Sequence, residues 1–352
     1  MPVLTLPTFA FESGAGLREV PVAYHAWGEL NAAGDNAVVV CHALTGSPDA
    51  ADWWAPLLGP GRVLDTDRYF VVCANVPGSP YGTVSPITLD PDTGRRYGRA
   101  FPVPTIRDTV RLHRALLDAL GVRSVALAIG GSMGGMQVLE WGFETGADGA
   151  PFVRALAPIA VGARHSPWCI AWSEAQRMAV EADPAWTSDD PHAATAGLAA
   201  ARAIAMVSYR SAEAFALRHG RAVNGAGPYA GTFGAAAYLR HQGRKLVARF
   251  DPVCYVRITE MMDTHDLARG RAPEGTDPDL ALAEVMQMLS QPLLSVGVDS
   301  DVLYLPSEAR QVADLAPRGT YAEIASPWGH DAFLIEFEQL DRLLRAWWRP
   351  YA

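Results

Sequence analysis

Residues 125–136 read Val-Ala-Leu-Ala-Ile-Gly-Gly-Ser-Met-Gly-Gly-Met, an unbroken apolar run that passes straight into Gly-x-Ser-x-Gly. Helix-forming residues then continue to Trp141. A short apolar run bounded by glycines is the pattern of a buried strand, and the residues after it predict a helix. A strand that becomes a helix within so few residues needs a sharp turn. Small neighbours let that turn hold one residue, Ser132, strained and exposed. The helix N-terminus behind it presents free backbone N–H groups to any negative charge that develops there. The competing reading is a glycine-rich strand–helix turn with no chemistry. A dinucleotide fingerprint does not fit these glycines, and the chain has no Gly-Lys-Ser/Thr phosphate loop.

The surrounding sequence predicts an α/β architecture. Residues 37–41, 69–73, 124–129 and 152–160 are short apolar runs that read as buried strands, and 293–298 is a fifth. Residues 105–120 carry Val110, Leu112, Leu116, Leu117 and Leu120 at helical spacing, with Gly121 as the stop. Strands alternating with helices make a mostly parallel sheet flanked by helices. From 162 to 289 strand-like runs become scarce. Ala- and Met-rich helical segments such as 195–209 and 280–289 take over, and 334–348 closes the chain as an amphipathic helix. The expectation is one core domain, 1–161 and 290–352, interrupted by a helical lid domain, 162–289.

A serine hydroxyl needs a base to take its proton, and the base needs an orienting carboxylate. On a sheet of this kind the order along the chain is Ser, acid, His. The strand at 293–298 is followed by Asp299-Ser300-Asp301, and His330 lies near the C-terminus in Trp328-Gly329-His330-Asp331. Both stand in loops after strands, where functional residues collect. The expected catalytic set is therefore Ser132, Asp301 and His330, with Asp299 as a near competitor for the acid. The backbone N–H groups of Leu44, in the loop His42-Ala43-Leu44-Thr45-Gly46 after an early strand, and of Met133 are the candidate oxyanion hole.

Composition narrows the function. With 29 Lys and Arg against 38 Asp and Glu the net charge is −9, which argues against a nucleic-acid partner. Hydrophobic residues form 49% of the 352, enough for a large core. Four cysteines among apolar neighbours imply neither a disulfide scaffold nor a metal site. No signal peptide and no membrane-length apolar run stands out, so a cytoplasmic protein is expected.

Several tracts together resemble the homoserine O-acetyltransferase family, whose fold is the α/β-hydrolase fold. They are His42–Gly46, Asp52-Trp53-Trp54 and Gly130–Gln137, then Ala201-Arg202-x-Ile204-Ala205 and Ser208-Tyr209-Arg210-Ser211. Tyr238-Leu239-x-x-Gln242-Gly243-Arg244-Lys245, Met262-Asp263-x-His265-Asp266 and Gly329–Leu334 complete the set, all in consistent order. The resemblance implies a two-step transfer, in which acetyl passes from acetyl-CoA to Ser132 and then to the γ-hydroxyl of L-homoserine, with no permanently bound cofactor. It also implies that Arg202 binds the substrate carboxylate, that Asp331 meets the substrate amine, and that Tyr209 lines the site. Without the resemblance, Arg202 reads as a solvated helix residue and Asp331 as a helix cap. A homodimer through the lid is a further implication, as is a place in methionine biosynthesis.

One departure bears on the substrate. Many acetyltransferases of the family carry a Gly-Gly-Cys-containing loop ending Thr-Gly-Pro, whereas residues 78–86 here read Gly-Ser-Pro-Tyr-Gly-Thr-Val-Ser-Pro. The alternatives left open are a serine O-acetyltransferase, a homoserine O-succinyltransferase and a Ser-His-Asp esterase.

Overall fold

The structure, a computed structural model, describes residues 1–188, 190, 193–225 and 231–348. The last four residues assigned to the core and eight of the helical segment lie outside it. The chain opens with two long strands, β1 (Val3–Ala10) and β2 (Gly16–Trp27). Next come β3 (Ala37–Cys41), α1 (Ala50–Trp53), β4 (Phe70–Ala74), α2 (Ile106–Ala119), β5 (Val125–Gly131), α3 (Met133–Trp141) and β6 (Leu156–Ile159). Six helices follow: α4 (Pro167–Glu181), α5 (Thr195–Ser208), α6 (Ala212–His219), α7 (Gly234–Val247), α8 (Pro252–Asp263) and α9 (Pro278–Met286). A small hairpin, β7 (Val223–Asn224) and β8 (Thr232–Phe233), lies between α6 and α7. The chain then returns to the sheet with β9 (Leu293–Val298), α10 (Pro306–Leu315), β10 (Gly319–Ile324) and α11 (Phe337–Trp348).

The eight-stranded sheet has the order β1-β2-β4-β3-β5-β6-β9-β10. Strand β2 pairs antiparallel with both β1 and β4, and the pairings from β4 to β10 are parallel. The central strands β3, β5, β6 and β9 are buried at every position, as expected for a sheet covered on both faces. Helix α2 starts at Thr105, whose side chain takes the Asp108 N–H while Asp108 takes the Thr105 N–H. Its stop is Gly121, at φ +85°.

Helix α3 runs through the centre of the molecule, and every one of its residues is buried. Its one carboxylate, Glu140, is held by Arg271 at 2.5 Å and Arg107 at 3.3 Å, which supplies the pairing a buried charge requires. So tight a fit depends on Gly134, where a Cβ would stand 2.1 Å from the backbone oxygen of Cys41. Gly134→Ala should gain about 1 kcal/mol of helix propensity, yet lose more to a clash that neither backbone can relieve. The expected net loss is at least about 2 kcal/mol, read by urea unfolding, and an unchanged midpoint would contradict this packing account.

Candidate active site

Strands β5, β6, β9 and β10 are successive neighbours in the sheet, and the segments that follow β5, β9 and β10 carry Ser132, Asp301 and His330. Ser132 lies between β5 and α3 with φ 58° and ψ −126°, a strained conformation for a residue with a Cβ. The Ser132 N–H donates to the Ile159 carbonyl at 2.9 Å, tying the turn to β6. Space for the turn comes from its glycines: a Cβ on Gly131 would reach within 2.5 Å of the Phe333 ring.

Between the two aspartates the geometry decides. Asp301 Oδ2 lies 2.6 Å from His330 Nδ1, whereas Asp299 Oδ1 accepts the Ser326 N–H at 2.9 Å and braces the loop. The other oxygen of Asp301 accepts the N–H groups of Leu303 and Tyr304, at 2.8 and 3.0 Å. With Nδ1–H donated to Asp301, His330 Nε2 is left as an acceptor, and it is buried with no hydrogen-bond partner among the described residues. Burial works to depress the imidazole pKa, but the charge and hydrogen bond of Asp301, aided by Asp331, outweigh it and hold His330 above the usual 6.5. The Tyr304 ring packs against His330, tilted by 32° at 5.2 Å between ring centres, and its hydroxyl meets His165 Nδ1 at 3.0 Å.

Ser132 and His330 open into one cavity of about 520 Å³. Leu44 lines it, while Met133 sends its side chain into the core. The backbone N–H groups of these two residues have no acceptor among the described residues, and that of Met133 is the first of helix α3. The loop that carries Leu44 is clamped from below. Gln137 of α3 donates to the His42 carbonyl at 3.3 Å, and buried His42 accepts the Val76 N–H. Burial lowers the His42 pKa to about 4, so its ring serves as a neutral brace.

The helical segment forms the remaining wall. Arg202 of α5 reaches the cavity with its Nη1 buried and without a partner among the described residues, and its guanidinium lies 5.4 Å from the Tyr209 ring centre. Tyr209 in turn lies 5.9 Å from the His330 ring, and its phenol is pushed up to about 12 by burial. Asp331 lines the same space and pairs with Arg210 at 3.0 Å. All eight site residues named from the sequence thus meet around one cavity, with Asp301 behind His330 and Met133 beneath Ser132.

Several members of this constellation escaped the sequence reading. Arg210, Lys245, Arg249, Tyr81 and Tyr304 received no role, although Arg210 and Lys245 sit inside the tracts quoted above. Tyr81 belongs to the divergent 78–86 loop and lines the cavity, where its hydroxyl accepts from Arg249. Arg249 also donates to the Thr45 carbonyl at 2.8 Å, so it joins the helical segment to the loop of Leu44. All four cysteines are buried free thiols. Among the described residues no three His, Cys, Asp or Glu cluster as metal ligands, and no helix is long and apolar enough to cross a membrane.

Residues 36–337 match the family model described as alpha/beta hydrolase fold. The strand order and the strand–Ser132–helix turn agree, and the chain is a member of that class. Curated relatives narrow it. The homoserine O-acetyltransferase of Salinibacter ruber is 55% identical over 98% of this chain and 96% of its own length. That of Trichormus variabilis is 47% identical over 96% of this chain and 90% of its own length. The chain belongs to the homoserine O-acetyltransferase family. Among solved structures, homoserine O-acetyltransferase from Staphylococcus aureus superposes with a TM-score of 0.76 at 27% identity, covering 98% of this chain and 94% of that one. Esterase E22 superposes at 0.86 with 22% identity, over 99% of both chains, and its likeness is one of fold.

Proposed function

We propose that the protein is a homoserine O-acetyltransferase that carries acetyl from acetyl-CoA through Ser132 to the γ-hydroxyl of L-homoserine. The observation that carries this reading is one cavity holding both a Ser132–His330 pair and a charged pair, Arg202 and Asp331, suited to the two ends of an amino acid. His330 Nε2 takes the Ser132 proton as Oγ attacks the thioester carbonyl. The tetrahedral oxyanion is met by the Leu44 and Met133 N–H groups. The C–S bond breaks, CoA leaves as a thiol with the proton from His330, and Ser132 holds the acetyl ester. The homoserine hydroxyl then gives its proton to His330 and attacks that ester. Collapse releases O-acetylhomoserine, and the proton returns to Ser132. Asp301 fixes the imidazole tautomer throughout.

Arg202 offers a planar fork with an unsatisfied Nη1 to the substrate carboxylate. Asp331 takes the ammonium, which joins or displaces Arg210. Tyr209 packs between Arg202 and His330 and sets the depth of the acceptor pocket. Residues 162–289 act as a lid domain over the 1–161 and 290–352 core, excluding water, the competing acceptor for the acyl-enzyme. The enzyme works in the cytoplasm, without a resident cofactor, supplying activated homoserine for methionine synthesis. It acts as a homodimer through the lid, a role supported by the exposed apolar side chains of Trp168, Met178, Val207 and Leu217 there.

The test is free-thiol release from acetyl-CoA with L-homoserine, L-serine or no acceptor, and with succinyl-CoA as the second donor. Dependence on homoserine and acetyl-CoA supports the reading. Preference for serine or succinyl-CoA moves the protein to a sister specificity, and acceptor-independent release makes it a hydrolase. Arg202→Ala should raise the homoserine KM about 10²-fold, as expected for losing a charge-assisted contact to carboxylate. Acceptor-free thioester hydrolysis should change far less, and equal loss of both activities would remove Arg202 from the acceptor site.

A further inference from the structure

The chain is acidic overall, with a net charge of −9, yet between residues 210 and 250 it carries seven Arg or Lys and a single carboxylate, Glu213. Two of these cations, Lys245 on α7 and Arg249 just beyond it, are exposed residues that line the same cavity as buried Ser132. Neither has a carboxylate partner among the described residues. The acceptors of Arg249 are a backbone carbonyl and a neutral phenol and hydroxyl, so its charge is oriented without being neutralised. Of the carboxylates lining the cavity, Asp331 is paired with Arg210 and Asp52 is exposed.

We propose that Lys245 and Arg249 form a rim subsite for the phosphate groups of the acyl donor, a proposal that rests on the acetyl-CoA reading above. The thioester must reach Ser132, which is only 6% exposed. A cavity of about 520 Å³ has room for an acyl-pantetheine arm together with an amino acid, but not for a nucleotide as well. The pyrophosphate and 3′-phosphate therefore remain at the mouth, where the two unneutralised cations stand. An ammonium on a flexible stem suits a phosphate as a point charge, and a guanidinium adds a directed fork. Because Arg249 also holds the Thr45 carbonyl, a phosphate docked there would rest on the residue that steadies the Leu44 loop.

The experiment compares acetyl-CoA with acetyl-pantetheine, which lacks all the phosphates, in the full-length wild type and in Lys245→Ala and Lys245→Glu. Lys245 is exposed, so both variants should fold, and circular dichroism checks this. The wild type should favour acetyl-CoA in kcat/KM, and that preference should shrink as KCl rises. Lys245→Ala should cut the preference about fivefold and Lys245→Glu about 50-fold, chiefly through the donor KM. Equal loss with both donors, or no change in the preference, overturns the subsite and leaves the transferase reading standing. No CoA release from any variant or the wild type, with p-nitrophenyl acetate still hydrolysed, overturns the transferase reading itself.

Discussion

Ser132→Ala is expected to lower kcat for acetyl transfer by at least about 10⁴-fold, because losing the nucleophile removes the covalent route outright. Intact-mass analysis after mixing with acetyl-CoA should show an acetyl adduct on the wild type and none on the variant. Ser132→Gly should be equally inactive but differ in stability. The strain at Ser132 lies in its backbone, at φ 58°, and its side chain takes no part in capping α3. Alanine keeps the Cβ and therefore the strain, of order 1–3 kcal/mol. Glycine relieves it, at an entropic cost of about 0.5–1 kcal/mol. The glycine variant should then melt about 1–2 °C above the alanine variant. An alanine variant that is at least as stable as glycine would mean that the turn is not strained, and a retained acetyl adduct at another residue would relocate the nucleophile.

That turn was legible in the sequence because several levels agree on it: an apolar strand, a glycine-rich corner, one serine and a helix. The central strands were legible for a related reason, since burial on both faces leaves unbroken apolar runs such as Ala37–Cys41 and Leu293–Val298. Boundaries moved where local chemistry intervened. The run at 152–160 contracts to a strand at Leu156–Ile159, and the closing helix starts at Phe337 after a 3₁₀ turn, Gly329–Leu334, that presents His330. Strand β1 went unnoticed because it is the largely exposed edge strand and contains Pro7, and its neighbour β2, mostly half-buried and interrupted by Pro21, has no unbroken apolar run. Half-exposed β10, at the other edge, was given no bounds, although His330 was read as lying after a strand. In the site, Asp299 and Asp301 could not be separated by order or loop context, because both satisfy the same rule two residues apart. The Arg210–Asp331 pair and the Arg249–Thr45 clamp join segments far apart in the chain, and no spacing rule reaches across that distance.

Asp301→Asn tests the base more sharply than any truncation, and the second oxygen of Asp301 explains why. Oδ1 accepts two backbone N–H groups, from Leu303 and Tyr304, so an asparagine must keep its oxygen there. Its NH₂ then faces His330 Nδ1 across the former 2.6 Å contact and donates to it. A neutral imidazole in that position carries its proton on Nε2, the atom that must receive the Ser132 proton. The expected loss in kcat is about 10³–10⁴-fold with the fold intact, since the side chains are nearly the same shape. The pH dependence should move as well. In the wild type the Asp301 charge holds His330 above 6.5 against burial, so kcat/KM falls as pH drops through that raised value. In the variant the charge is gone while burial remains, and the acid limb of the residual activity should shift to lower pH. Profiles of kcat/KM between about pH 5 and 9 measure this directly. An acid limb that stays in place, or a loss below about tenfold, would show that Asp301 does not govern the His330 tautomer.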